Sequence, residues 1–178
     1  MNTQETDALK YPIGKFVKPD PVTADHIRSW ITDIEELPTA MKALVENLDD
    51  TKLNLRYRPG SWTIRQLIHH VADSHFNSFI RFKLALTEID PVIKPYKQEE
   101  WSLLADATKA DVQDSLFILE GLHNRWVTLL KSMTPAQFER TFVHPERQGL
   151  QKLNTNLGMY AWHGKHHLAH IRLALGIK

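Results

Sequence analysis

Four stretches of the chain place apolar residues three and four positions apart, and this spacing limits the possible folds more than any other feature. Apolar side chains at these intervals share one face of a helix, and that face must be buried against other helices. The stretches cover about residues 23–48, 61–87, 111–131 and 155–175. Four amphipathic helices of this length predict an all-α fold, an antiparallel four-helix bundle formed by residues 1–178 as a single domain.

Proline predicts where regular helix is absent or disturbed near the N-terminus. Residues 1–22 contain three prolines and a glycine, so we expect this opening to be extended or looped. Pro38 lies inside the first long helical stretch and is expected to kink or interrupt it, because proline cannot donate a backbone hydrogen bond.

Two further segments connect the later helices. Residues 88–110 contain two prolines and predict a long connection, with a short helix around residues 99–104. Before the last helix, residues 140–143 could pair with residues 150–153 as a small irregular or hairpin insertion. Gly176 follows the last apolar turn and is expected to end that helix.

The composition excludes several kinds of site and partner. The 178 residues include no cysteine, which excludes disulfides, thiolate zinc sites and a cysteine nucleophile. The net charge is +1 and the basic residues are dispersed, so neither nucleic acid nor an anionic membrane is an expected partner. The polar, acidic N-terminus does not resemble a signal peptide, and no apolar run approaches the roughly 20 residues of a spanning helix. We expect a cytoplasmic protein that acts on a small molecule.

Histidines are concentrated near the C-terminus, where four of the ten fall within residues 163–170. His163 and His167 are four residues apart, so both imidazoles can bind one ion from the same helix face. A projection at about 100° per residue places this pair at the edge of the buried arc. The same projection turns His166 furthest toward solvent and aims the pair formed by His166 and His170 outward.

A second group of histidines lies about ninety residues upstream and could supply a third ligand. The projection puts His75 in the middle of an apolar arc, where we expect it to be buried with a hydrogen-bond partner. His70 lies well to one side of that arc and His69 further out. Asp73, one turn after His70, could orient a ligand by accepting its second N–H. Helical spacing alone therefore leaves the choice of the third ligand open.

Three segments resemble the DinB-like superfamily, and more closely its YfiT-like branch of metal-dependent hydrolases. They are the hexamer at residues 11–16, the tryptophan-to-histidine segment at residues 62–75, and the histidine segment at residues 160–171. The resemblance implies that the first metal ligand lies eight residues after Trp62, which is His70, and that the others are His163 and His167. It also implies a homodimer with one divalent ion per chain.

Three imidazoles suit zinc best, with nickel possible, and suit calcium or magnesium poorly. Three ligands leave one position open, where we expect water rather than a fourth side chain. The predicted function is metal-assisted hydrolysis of a small-molecule substrate. The alternatives are transfer of a low-molecular-weight thiol as co-substrate, and a bundle that binds metal or ligand without catalysis. No general base or other catalytic residue is identified, and the segment from His144 to Glu146 is expected to be an ordinary surface turn.

Overall fold

The computed structural model describes residues 3–177, with side chains described from residue 7 onward. In chain order the helices are α1 (Thr3–Lys10), α2 (Ala24–Val45), α3 (Asp50–Leu53), α4 (Ile64–Thr87), α5 (Gln98–Trp101), α6 (Ala105–Lys109), α7 (Val112–Ser132), α8 (Pro135–Phe138) and α9 (Leu153–Leu175). Strands β1 (Thr141–Val143) and β2 (Leu150–Lys152) pair antiparallel, with Phe142 opposite Gln151. The structure confirms the predicted four-helix bundle and the hairpin before the last helix.

The long helices begin and end at residues whose side chains or backbone favour a boundary. Thr63 caps α4 by accepting from the backbone N–H of Gln66, whose side chain accepts from the backbone N–H of Thr63. Asp111 caps α7 through the backbone N–H of Gln113. Gly176 adopts φ +68° at the end of α9, a left-handed conformation that glycine takes at little cost.

Helix α2 packs against α7 and α9, and α4 packs against the same two helices from the other side. Their apolar faces bury two clusters of core residues, one containing Trp126, Phe82 and Ile34 and the other containing Leu67 and Leu119. This arrangement brings the polar edge of α4 beside the polar edge of α9, and both edges carry histidines.

Pro38 was expected to kink or interrupt α2, and the helix is not interrupted, because it runs without a break from Ala24 to Val45. Pro38 removes a single helical donor, the N–H that would reach the carbonyl of Ile34. That carbonyl instead lies 2.6 Å from Nδ1 of His123 on α7. The neighbouring side chains of Leu37 and Met41 are buried in the core, which holds the helix together across the proline.

The opening of the chain is not entirely looped as predicted, because α1 is helical from Thr3 to Lys10. No proline or glycine occurs in that stretch, so nothing local breaks the helix until Pro12. The connection after α4 holds two short helices, α5 and α6, instead of the single one expected. Among the described residues, no helix is long and apolar enough to cross a membrane.

Candidate metal centre

Three histidines from two helices converge between α4 and α9. Nε2 of His163 lies 3.2 Å from Nε2 of His70 and 3.1 Å from Nε2 of His167. One ligand nitrogen from each of the three rings falls within 4.8 Å of the others. His70 and His167 are buried, and His163 is partly buried. The tertiary structure thus brings together the three residues that the family resemblance named.

These imidazoles lie where the charged form is disfavoured. Burial, together with the smaller effect of positive charge on His166, lowers the pKa of His70 to about 4. Burial also holds the pKa of His163 and of His167 well below the usual histidine value, and the neighbouring imidazoles add to the effect. All three rings are therefore neutral near pH 7 and keep a lone pair available.

His75 does not join the three converging nitrogens. It is fully buried, as predicted, with Nδ1 3.0 Å from Nε2 of His123 and Nε2 3.3 Å from Nδ1 of His163. It therefore contacts the far side of the His163 ring, away from His70. His123 was overlooked in the sequence, although it follows Leu119 by four residues and precedes Trp126 by three on the buried face of α7.

The prediction that His166 and His170 face solvent is wrong, because both are buried. The N-terminal segment crosses this face of α9: the Lys10 carbonyl lies 3.2 Å from Nε2 of His170, and Trp162 Nε1 donates to the Gly14 carbonyl at 3.1 Å. A projection of one helix cannot show a distant segment that covers it. Nitrogens of His166, His167 and His170 also lie within 4.8 Å of one another.

Asp73 does not act as the predicted acceptor for His70, since no hydrogen bond joins the two side chains in the part of the chain described here. Its carboxyl is partly buried, and desolvation together with the charge of Asp106 raises its pKa to about 6. His69 likewise turns away from the three converging histidines, with Nδ1 2.8 Å from Oγ of Ser115.

Two cavities meet at His163. One, of about 300 Å³, is lined by all three converging histidines and by Tyr57 and Trp62. The other, of about 590 Å³, reaches His163 from the side of the hairpin, and its wall includes Arg81, Tyr96, His144, Glu146, Arg147 and Tyr160. Residues 145–146 form the exposed turn that was predicted, but His144 is buried, and both His144 and Glu146 line this cavity. The hairpin is held over the bundle by the pairing of Val143 with the chain at residues 91–93 and by the buried ring of Phe142.

The larger cavity has hydrogen-bond donors close to His163. Arg81 is buried, and its Nη1 donates to the hydroxyl of Tyr160 at 3.4 Å. The hydroxyl of Ser74 also donates to Tyr160, at 3.4 Å. Because Tyr160 accepts both bonds, its own O–H is free to donate to another oxygen.

Comparisons with known proteins agree with this architecture. Residues 33–171 match the DinB superfamily. A protein of Bacillus mycoides (strain KBAB4) named "Putative metal-dependent hydrolase" is 52% identical over 163 residues, covering 92% of this chain and 93% of that protein. A protein of the same description from Bacillus cereus (strain 03BB102) is 53% identical over the same length. A solved structure described as "YfiT from Bacillus subtilis is a probable metal-dependent hydrolase with an unusual four-helix bundle topology" matches with TM-score 0.91 and 43% identity, over 96% of this chain and 99% of that one. On the extent of these matches, the chain belongs to the DinB superfamily.

Proposed function

We propose that this protein is a metal-dependent hydrolase in which Nε2 of His70, His163 and His167 holds one divalent ion, zinc by preference. The observation that carries the proposal is the convergence of three neutral imidazole nitrogens at the junction of two cavities. The descriptions given to the Bacillus relatives support metal dependence in general terms.

The spacing of the three nitrogens suits a small tetrahedral ion. Nitrogens about 2.0–2.1 Å from such an ion lie about 3.3–3.4 Å apart. The separations of 3.2 and 3.1 Å between Nε2 of His163 and the Nε2 atoms of His70 and His167 are close to that value. A set made only of imidazoles favours zinc, with nickel possible, over calcium or magnesium, which prefer oxygen ligands.

The residues of the larger cavity would bind and orient the substrate beside this centre. When bound, a divalent ion with an open position lowers the pKa of a coordinated water to about 7 and polarises an acyl oxygen. The hydroxyl of Tyr160 and the guanidinium of Arg81 can donate to a substrate oxygen, and burial strengthens such bonds. Arg81 is therefore suited to holding a substrate that carries a partial or full negative charge.

Metal analysis combined with a substrate panel tests the proposal. The purified protein, His163→Ala, His167→Ala and the control His26→Ala would be loaded with zinc and analysed for metal. The ring of His26 accepts from the backbone N–H of Thr23 at the start of α2 and lies outside the group of three histidines, so its removal should leave one ion per chain. Full occupancy in His163→Ala or His167→Ala would contradict the assignment. A loaded protein that turns over neither esters nor amides would contradict hydrolysis.

A second candidate function is transfer of a small thiol to an electrophile. The observation that favours it is that two cavities meet at His163, so that two substrates could reach the same centre. Adding a thiol to the same panel separates the two functions. Turnover that depends strictly on the thiol would favour transfer, whereas turnover without it would favour hydrolysis.

A further inference from the structure

We infer that two chains of imidazole rings, each ending on a backbone carbonyl, determine that His163 and His167 present an unprotonated Nε2 to the proposed ion. Only the presence of the ion depends on the proposed function. The positions of the protons follow from contacts within the protein and can be measured without metal.

The first chain begins at the carbonyl of Ile34. Because Pro38 has no N–H, this carbonyl lacks its usual helical donor and is free to accept from another group. Nδ1 of His123 lies 2.6 Å from it. A carbonyl oxygen can only accept, so the proton of His123 must be on Nδ1. The reverse tautomer would place two lone pairs against each other at this short distance.

The remaining protons of the chain follow in turn. His123 and His75 are buried, and among residues 7–177 no carboxylate hydrogen-bonds to either ring, so both rings are neutral with one N–H each. Nε2 of His123 then accepts from Nδ1–H of His75, at 3.0 Å. Nε2 of His75 accepts from Nδ1–H of His163, at 3.3 Å. Nε2 of His163 is therefore unprotonated.

The second chain has the same logic and ends at the carbonyl of Lys10. That carbonyl accepts from Nε2–H of His170, at 3.2 Å, which leaves Nδ1 of His170 as an acceptor. Nδ1 of His170 lies 3.4 Å from Nδ1 of His167. Because Nδ1 of His170 accepts, Nδ1 of His167 carries the proton, and Nε2 of His167 is unprotonated. The ring of Tyr57 stacks on His170 at 3.8 Å and holds its orientation.

The second chain also assigns a role to the group formed by His166, His167 and His170. Both nitrogens of His170 are occupied by hydrogen bonds, and Nδ1 of His167 carries a proton. His170 therefore positions His167, and the group does not hold a second ion because neither nitrogen of His170 nor Nδ1 of His167 offers a free lone pair. One ion per chain, not two, is the expected stoichiometry.

The two chains prepare the centre for a cation. The unprotonated Nε2 atoms of His163 and His167 lie 3.1 Å apart with no proton between them, so their lone pairs repel unless a positive ion or a hydrogen-bond donor lies beside them. Partners that accept the second N–H of a ligating histidine also orient the ring and raise its basicity. Removing such a partner commonly weakens metal binding about 10–100-fold.

Long-range ¹H–¹⁵N correlation spectra of the metal-free protein, labelled at histidine nitrogens, measure the tautomers directly. We expect His123, His75, His163 and His167 to carry the proton on Nδ1, and His170 to carry it on Nε2. In water the Nε2–H form is the more populated one, so four Nδ1–H rings would be a clear departure. Protonated Nε2 on His75 or His163 would overturn the first chain, and on His167 the second.

Zinc affinity of variants, measured by competition with a chelator, tests the consequence for the ion. His75→Leu should bind zinc about 10–100-fold more weakly. His75→Gln should recover much of the loss, because its amide can accept from His163 and donate to His123. His69→Leu is the matched control, since it removes another buried, hydrogen-bonded histidine of α4 that lies outside both chains.

Equal zinc affinity in His75→Leu and His69→Leu would overturn the positioning role. If His75→Leu does not fold, the tautomers of the unaltered protein still decide the inference. The two proposals also fail separately: a protein that takes up no metal but has the expected tautomers would refute the metal centre and leave the imidazole chains standing.

Discussion

Replacing Gly164 with alanine tests how closely α9 must approach α2 to place the histidines. A Cβ atom at position 164 would lie 2.6 Å from Cδ2 and 3.0 Å from Cδ1 of Leu37. The first distance is below any normal carbon–carbon contact. Leu37 is only 4% exposed, so its side chain cannot swing into solvent to make room. Either Leu37 must leave its favoured rotamer or the two helices must move apart.

The magnitude follows from two opposing effects. Alanine in place of a mid-helix glycine stabilises the folded state by about 0.5–1 kcal/mol. Overpacking a filled core costs about 1–3 kcal/mol. Gly121 on α7 provides the control, because a Cβ there would meet nothing within 4 Å. The helix effect is common to both substitutions, so Gly164→Ala should be about 1–3 kcal/mol less stable than Gly121→Ala.

Urea unfolding followed by far-ultraviolet circular dichroism would measure this difference. At about 2–4 °C per kcal/mol for a chain of this size, Gly164→Ala should melt about 2–12 °C below Gly121→Ala. Shortening Leu37 should relieve the clash, so Gly164→Ala should lower the free energy of unfolding less in a Leu37→Ala background than in the parent protein. Equal stabilisation by the two glycine substitutions would refute the claim that α2 and α9 are in limiting contact.

Three further predictions concern the metal and the pH. Chelation should leave the helical circular dichroism signal intact and lower the melting temperature. The bundle buries its core without the ion, so chelation removes only the free energy of metal binding. Loss of the helical signal on chelation would show that the ion is structural. Asp73→Asn should stabilise the protein near pH 8 and have little effect near pH 4. The pKa of Asp73 is about 6 in the folded protein and about 3.9 in the unfolded chain, so the ionised carboxylate lowers the free energy of unfolding as pH rises through that range. An equal effect at both pH values in urea unfolding would contradict this. Hydrolysis by the zinc-loaded protein should rise with pH through a single ionisation near about pH 7, and a flat profile of kcat/KM would argue against an activated water.

The positions of the long helices could be predicted from the sequence, because the signals that define them are local. Thr63, Asp111 and Gly176 lie at or next to the predicted boundaries, and each acts through its own or adjacent backbone. The apolar spacing within each segment determines which face is buried. The same spacing placed His75 in the core and set His163 and His167 on one edge of α9, and these positions hold in the structure.

The sequence could not say what covers each face. A helical projection gives the direction of a side chain but not the segment that packs over it, so His166 and His170 were assigned to solvent although residues 10–14 lie across them. For the same reason, the sequence predicted a turn from His144 to Glu146 but not that these two residues line the larger cavity.

The partners of the histidines were decided only by the tertiary structure. His70 lay off the apolar arc of α4, and its proximity to His163 depends on how α4 and α9 pack. The links from His163 through His75 and His123 to the carbonyl of Ile34 join residues from four helices. Local sequence determines the helices and the faces they bury, because those depend on neighbouring residues. The centre depends on nitrogens from different helices lying within about 3 Å of one another, a distance that only the packed bundle can set.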